Sequence, residues 1–201
     1  MKHSSTRAVF GHWNEKRGHR AAPGRGDIDP VAIAQALGDT FTLSADFIDQ
    51  FRFRLAGTRV CALFCREMKG EILSELWSEK DRKIIEDVLN IVTTETTGVV
   101  TGLAGRAEDG AIADLEMLLL PLARTGHART SMLGALVPAT PFYWLGAKPI
   151  VSLELKAVRH LGADLTEVAA PRLASVEGTR LQHGFTVYTG GRASEAAEQS
   201  A

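Results

Sequence analysis

The clearest alternation of hydrophobic and polar residues lies in FRFRLA, residues 51–56. Its three apolar side chains fall on one face of an extended chain and its two arginines fall on the other, as a strand with one buried face requires. The preceding segment TFTLSADF, residues 40–47, alternates in the same way. The two segments predict adjacent antiparallel strands with a turn near residues 48–50.

Helical periodicity follows these strands. TRVCALF and GEILSELW predict two short helical pieces that are broken at Gly70. A longer helix is predicted after Ser78, which can cap it. Glu79 and Asp81 lie in the first turn of that helix, where the helix dipole favours acidic side chains, and an apolar stripe continues to Gly98.

Three further strands are predicted over residues 99–107, 113–123 and 131–139, joined by connections rich in turn-forming residues. The second half of the middle strand is apolar at consecutive positions, which predicts cover on both of its faces. Pro121 lies in that half and has no N–H to donate, so a bulge or an unpaired position is predicted there. This order of elements predicts an α+β domain with helices on one face of an antiparallel sheet. The later segment PIVSLELKAVRHL, residues 149–161, fits either a strand or a helix.

The segment DIDPVAIAQALG, residues 27–38, has the start and stop signals of a short helix. Asp29 is a good N-cap and Pro30 suits the first helical position. Ile28 can pack on Ile33 as a hydrophobic staple, and the final glycine can end the helix. A short helical cap is therefore predicted before the sheet.

Charge is distributed unevenly around a formal net charge of −1. Residues 1–26 carry a net charge of +5 and the rest of the chain −6, and Trp13 gives this basic arm a large apolar anchor. Two interpretations remain open: the arm is a structural brace, or it is a docking surface for an acidic partner or for phosphates. The interaction residues of the arm and its loop are Trp13, Arg17, Arg20, Arg25, Asp27 and Asp29.

Composition argues against several classes of protein. A net charge near zero disfavours a surface built for nucleic acid. The longest apolar stretches are far shorter than the roughly 20 residues that span a bilayer, and the first residues lack the apolar run of a secretory signal. A cytoplasmic protein without a membrane span is therefore expected.

Residues for catalysis or metal binding form no recognisable set. The motifs GxSxG, GxxxxGK[ST] and HExxH do not occur in the chain. Carboxylates such as Asp114 and Glu116 are expected on exposed faces, and the histidines are expected to be superficial or structural. Cys61 and Cys65 are expected to be reduced and buried as small apolar side chains. The sequence therefore predicts a protein that is not an enzyme and holds no metal.

Four stretches carry a resemblance to one group of proteins: HWNEKRGHRAAPGRGDIDPVAI, FRFRLAGTRVCALFCREMKGEILSELW, DLEMLLLPLARTG with LGALVP, and GFTVYTGGR. They are similar to stand-alone bacterial PAS-domain proteins of a small alphaproteobacterial type. The resemblance implies a PAS-like five-stranded antiparallel sheet with helices on one face, formed by residues 40–139. Residues 1–39 would then be the basic arm and capping helix, and residues 140–201 a C-terminal extension with a short strand and a polar tail. Similar sequences tend to have glycine where this chain has Cys65.

The resemblance implies a non-enzymatic sensory or adaptor module that works through dimerisation and partner binding. Homodimers are implied, as are histidine kinases or other signalling proteins of motility or cell-cycle pathways as partners. PAS domains can hold a small ligand between the sheet and the helices. The side chains that would line such a cavity here are Phe51, Phe53, Leu55, Leu115, Met117, Leu119 and Leu133. Core packing explains the same residues without a ligand.

Two PAS cofactors are disfavoured. The Asn-Cys-Arg signature of flavin photosensors is absent, and the helix predicted over residues 79–97 contains no histidine that could bind haem iron. No other cofactor is evident, so an unidentified small ligand remains an alternative to an empty core. The second functional hypothesis is a tether to nucleic acid or to a membrane surface through the basic arm.

Overall fold

The computed structural model describes residues 1–47, 50–124, 129–161, 181–182 and 185–186. The chain divides into two compact units, residues 1–165 and 166–201. In the second unit, Leu181–Gln182 (β7) and Phe185–Thr186 (β8) pair as an antiparallel hairpin. The rest of the predicted polar tail, and His127 and His183, lie outside the described residues.

The described part of the first unit contains three α-helices and six strands. The helices are α1 (Ser4–Arg17), α2 (Thr58–Phe64) and α3 (Glu79–Thr94), with 3₁₀ helices at Arg25–Asp27, Ala34–Asp39 and Leu73–Leu76. The strands are β1 (Thr40–Ala45), β2 (Phe51–Ala56), β3 (Gly98–Ala107), β4 (Ile112–Leu122), β5 (Ser131–Pro138) and β6 (Ile150–Leu161).

The strands form one antiparallel sheet in the order β2-β1-β5-β4-β3-β6. The five strands β1 to β5 confirm the predicted α+β fold. The sheet also has a sixth strand, β6, because residues 150–161 pair along β3. Trp77 forms a parallel bridge with Leu153, and the Ser78 N–H donates to the Leu153 carbonyl at 3.0 Å. Trp77 and Ser78, which precede α3, therefore pair with the edge of β6 that faces away from β3.

The sheet separates two hydrophobic cores. The inner face packs against α2 and α3, and the outer face packs against α1. Leu119 faces the inner core while Leu118 and Leu120 face the outer core, so β4 is covered on both sides as its sequence predicts. Burial of alternate residues in two separate layers explains the continuous apolar run in this strand.

Pro121 is unpaired on one side of β4 only, because it pairs with Met132 of β5 but has no partner in β3. The pairing of β4 with β3 ends at Leu119, so Pro121 lies beyond it and needs no N–H on that side. Its carbonyl instead accepts a hydrogen bond from Trp13 Nε1 at 2.8 Å. This bond fixes α1 to the end of β4.

The predicted basic arm is largely helical, which is a correction. His3 caps α1 through its Nδ1, which accepts the Ser5 N–H at 3.2 Å. The buried face of α1 carries Thr6, Val9, His12 and Trp13. Two of these four residues are polar, so the apolar stripe that announces a helix is incomplete in the sequence.

The helix predicted over residues 30–38 is a second correction, because the chain forms a 3₁₀ helix at Ala34–Asp39 instead. Its capping signal is still used: Asp29 Oδ1 accepts the Val31 N–H at 2.9 Å. The Asp29 N–H in turn donates to His12 Nε2 at 3.0 Å. A helix this short is marginal by itself, so contacts with α1 decide the local conformation.

Candidate functional site

Five of the predicted cavity residues lie together on the inner face. These residues are Phe51, Phe53, Leu115, Met117 and Leu119. The rings of Phe41 and Phe53 are 5.3 Å apart, and both side chains are buried among residues of α2 and α3. The inner face therefore has the composition and packing of a continuous protein core.

Leu55 and Leu133 do not face this core. A bulge between β1 and β2 sets Phe53 opposite Leu43 but Leu55 opposite Thr42, so the alternation breaks at Arg54 and Leu55 is 54% exposed. Leu133 belongs to the outer core. These two assignments to the helix-facing side are corrected by the structure.

Two adjacent polar groups at the entrance to α3 are buried without a hydrogen-bond partner among the described residues. They are Trp77 Nε1 and Ser78 Oγ. Trp77 belongs to the inner core, so its N–H is a donor enclosed by apolar side chains. An unpaired buried donor costs free energy, so the Trp77 N–H is a point of stored polar potential in the inner core.

Elements of a metal or redox site are not brought together in the described part of the chain. No group of three or more His, Cys, Asp or Glu side chains there could hold a metal ion. Cys61 and Cys65 are free thiols, but Cys61 is only half-buried and Cys65 is exposed. The expectation of two buried cysteines is therefore wrong.

Cys65 ends α2 in the left-handed conformation. Its backbone angles are φ 51° and ψ 30°, and its N–H bonds to the carbonyls of the last helical turn. This position favours glycine, because glycine has no Cβ to strain a left-handed backbone. Glycine would adopt this conformation without the strain that the Cys65 Cβ introduces.

The basic residues of α1 and the following loop surround a buried anchor. Trp13 is 4% exposed and faces the outer core. The Arg17 guanidinium lies 5.5 Å from the centre of the Trp13 ring, and Arg17 Nε donates to Asn14 at 2.7 Å. The position of Trp13 therefore fits a structural brace. Arg17 lies partly exposed at the border between α1 and solvent.

The loop after α1 is held by its own charges. Asp27 accepts the Gly24 N–H at 2.9 Å and forms an ion pair with Arg20 at 2.9 Å. These contacts, the backbone hydrogen bond first, lower the pKa of Asp27. Arg25 is exposed on the same loop. Gly24 forms a parallel bridge with Ala123, which fixes the loop beside the end of β4.

Glu116 is buried, in contrast to its expected exposure, because the first turn of α1 covers it. Its carboxylate accepts hydrogen bonds from the N–H groups of Lys2 at 2.7 Å and His3 at 3.2 Å and from the Thr6 hydroxyl. Burial alone would raise the pKa of Glu116, but these hydrogen bonds outweigh burial and lower it. The carboxylate therefore anchors the N-terminal end of α1 to β4.

The two ends of α1 are thus attached to one strand, at Glu116 and at Pro121. A model of the PAS domain family matches residues 1–137, and this segment includes α1 and all of β1 to β4. The chain belongs to the PAS domain family. PAS domains are sensory or signalling modules and are typically not catalytic.

Two solved structures are similar to this PAS protein at low identity. The PAS domain of a protein from Colwellia psychrerythraea is 17% identical, with a TM-score of 0.38, and the match covers 52% of this chain and 92% of that one. An RNA-binding light-oxygen-voltage receptor is 18% identical, with a TM-score of 0.41, and the match covers 59% of this chain and 36% of the receptor. No curated protein matches the sequence. Among the described helices, none is long and apolar enough to cross a membrane.

Proposed function

We propose that this PAS protein is a non-enzymatic sensory or adaptor module that docks an acidic partner protein. The docking surface, here called the basic surface, consists of Lys16, Arg17, Arg20 and Arg25. The observation that carries the proposal is their common position at the C-terminal end of α1 and in the loop that follows it. The buried side chain of Trp13 fixes this end of α1 against the sheet.

Pre-organisation supports docking at the basic surface. Arg17 rests on the Trp13 ring and Arg20 is held by Asp27, so both side chains have already lost part of their conformational freedom. A partner therefore pays less entropy to order them. Asp27 neutralises only one of the four cations, and Lys16 contacts Glu15 at 3.5 Å. The surface keeps a net positive charge that fits acidic side chains.

The inner face favours an adaptor over a ligand sensor. Phe41, Phe53 and Met117 are almost completely buried within one packed cluster. A molecule bound there would need a hydrogen-bond acceptor for the Trp77 N–H and would have to displace some of these side chains. We therefore propose protein contacts, rather than a cofactor, as the main output of the module.

Family membership supports homodimerisation and contact with histidine kinases or related signalling proteins. The free thiols of Cys61 and Cys65 support a reducing compartment, and we propose the cytoplasm. Native mass spectrometry of the purified chain, before and after denaturation, tests stoichiometry and ligand together. The expected result is a dimer with no additional mass. A retained mass that is lost on denaturation would instead make the inner face a ligand site.

Photo-crosslinking tests the basic surface directly. A photo-crosslinking residue in place of Gly26 lies beside Arg25 in open space, and the same residue in place of exposed Leu55 is the matched control on β2. The captured protein is identified and purified. The affinity of this captured protein for the PAS protein should fall about tenfold or more in Arg17→Glu, because one desolvated charge contact is lost. The affinity should not change in Arg54→Glu. Equal effects of both reversals would contradict the assigned surface.

The +5 charge of residues 1–26 supports the tether as the second candidate. A labelled DNA duplex and vesicles containing an anionic lipid are the probes. Binding at low salt that collapses at physiological salt would favour the tether over the protein-docking function. Absence of binding at low salt would remove the tether hypothesis.

A further inference from the structure

Asp39 joins a helix on the inner face of the sheet to the helix on the outer face. Its Oδ1 accepts from Arg59 Nε at 2.6 Å, and its Oδ2 accepts from Arg59 Nη2 at 2.8 Å and from Ser5 Oγ at 2.6 Å. Arg59 lies in the first turn of α2 and Ser5 in the first turn of α1. One carboxylate therefore links the first turns of two helices that pack on opposite faces.

The backbone around this ion pair leaves room for the Arg59 guanidinium. A Cβ on Gly38 would lie 2.8 Å from Arg59 Cζ, and a Cβ on Gly57 would lie 2.5 Å from the carbonyl carbon of Gly38. Arg59 Nη2 also donates to the Gln35 carbonyl at 2.7 Å. The guanidinium is thus fixed against the 3₁₀ helix at Ala34–Asp39, so a shift of α2 changes its contacts there.

Burial makes the link between the two helices energetically sensitive. Asp39 is 3% exposed, and a buried carboxylate that loses its cation must take on water or rotate. Each of these changes alters the oxygen that accepts the Ser5 hydroxyl. α1 would keep its attachments at Glu116 and Pro121 but lose this bond in its first turn.

We propose that Asp39 couples the position of α2 to the attachment of α1. A displacement of α2 weakens the Asp39–Arg59 pair and, through the shared carboxylate, releases the Ser5 hydroxyl in the first turn of α1. The coupling is reciprocal: release of Ser5 loosens the first turn of α2 by the same free energy. The coupling between the two helices stands without the proposed function, and only the signalling role of the coupling rests on it.

Hydrogen exchange of the full chain tests the coupling. Arg59→Gln should raise the exchange rates of the amides of residues 7–11 in α1 about tenfold, the loss expected for one hydrogen bond to a charged group. Arg66→Gln is the matched control, because Arg66 is similarly exposed and pairs with Glu71 at 3.2 Å, away from α1. It should leave those amides unchanged.

The reciprocal variant Ser5→Ala removes a single hydroxyl from the other end of the link and covers the case in which Arg59→Gln does not fold. It should accelerate exchange in residues 58–64 while leaving β4 unchanged. Unchanged α2 amides in Ser5→Ala, or equal acceleration of α1 by Arg59→Gln and Arg66→Gln, would overturn the coupling. The measurement contains no partner, so its failure is distinguishable from failure of the docking proposal.

Discussion

The ring of Phe41 lies against the backbone of Gly134 on the neighbouring strand β5. The two residues are paired in register, and a Cβ on Gly134 would lie 2.8 Å from Phe41 Cε1 and still closer to two other ring atoms. Phe41 is completely buried on the inner face, so its ring has no free space to move into. Glycine at this position is therefore a packing requirement of the inner core.

Gly134→Ala should lower the free energy of unfolding by about 1–3 kcal/mol, the range for overpacking a buried core. Urea unfolding measures the change. Gly102→Ala is the matched control in the same sheet, because its Cβ would meet only Ala157 Cβ, at 3.9 Å. A loss in the control as large as that in Gly134→Ala would contradict the role assigned to the Phe41 ring, because alanine by itself favours a strand more than glycine does.

Cys65→Gly should raise the free energy of unfolding by about 0.5–1 kcal/mol, because glycine relieves a left-handed backbone at the end of α2. Chemical denaturation under reducing conditions measures this gain. Cys65→Ala keeps the Cβ and removes the thiol, so it should change the stability little. A gain from alanine equal to that from glycine would contradict the backbone explanation.

Glu116 should make the stability of the protein depend on acidic pH. Its pKa in the folded protein is below the ordinary value of 4.5, so its contribution is complete above pH 4.5 and is lost as the pH falls through the folded-state pKa. Glu116→Gln should cost about 1–3 kcal/mol at pH 7, because an amide cannot replace both acceptor oxygens.

Unfolding measured at a series of pH values from 7 downward separates this effect from other carboxylates. The difference between the wild type and Glu116→Gln should shrink as the pH falls below 4.5. A difference that stays constant over this interval would show that the carboxylate does not hold α1 through its charge.

Trp13→Phe tests the other attachment of α1. The variant keeps an aromatic ring in the outer core but leaves the Pro121 carbonyl without the indole N–H. We expect a loss of about 0.5–1.5 kcal/mol in urea unfolding. Val9→Ala, a change at a buried residue of the same helix that makes no such bond, is the control for loss of apolar contact alone, and an unchanged stability in Trp13→Phe would contradict the anchoring role of the indole N–H.

The sequence predicted the sheet well because period-two alternation has a direct physical cause. Each strand has one face on the inner core, and β4, with both faces buried, has a continuous apolar run. Leu55 was misassigned because alternation cannot show a bulge. A single extra residue at Arg54 turns the next side chain over.

Helix α1 and its polar anchors were harder to predict. Thr6 and His12 are buried because they bond to Glu116 and to the Asp29 N–H, and such contacts over long sequence distances leave no local pattern. The same reason hid Asp39 and Glu116, which look like ordinary surface acids in the sequence. Ser5 donates to Asp39 and Thr6 donates to Glu116. These two neighbouring hydroxyl residues were the local sequence feature that could have indicated buried acidic partners.

Strand β6 has a consequence for any shortened version of this protein. Every residue of β3 has a partner in β6, and Leu153 is completely buried in the inner core. A chain cut at residue 137, where the family match ends, would leave β3 as an open edge of ten residues and would expose apolar side chains beneath it. Open edges of this kind recruit strands from other molecules. Such a fragment should aggregate, whereas a chain that keeps residues 150–161 should stay soluble.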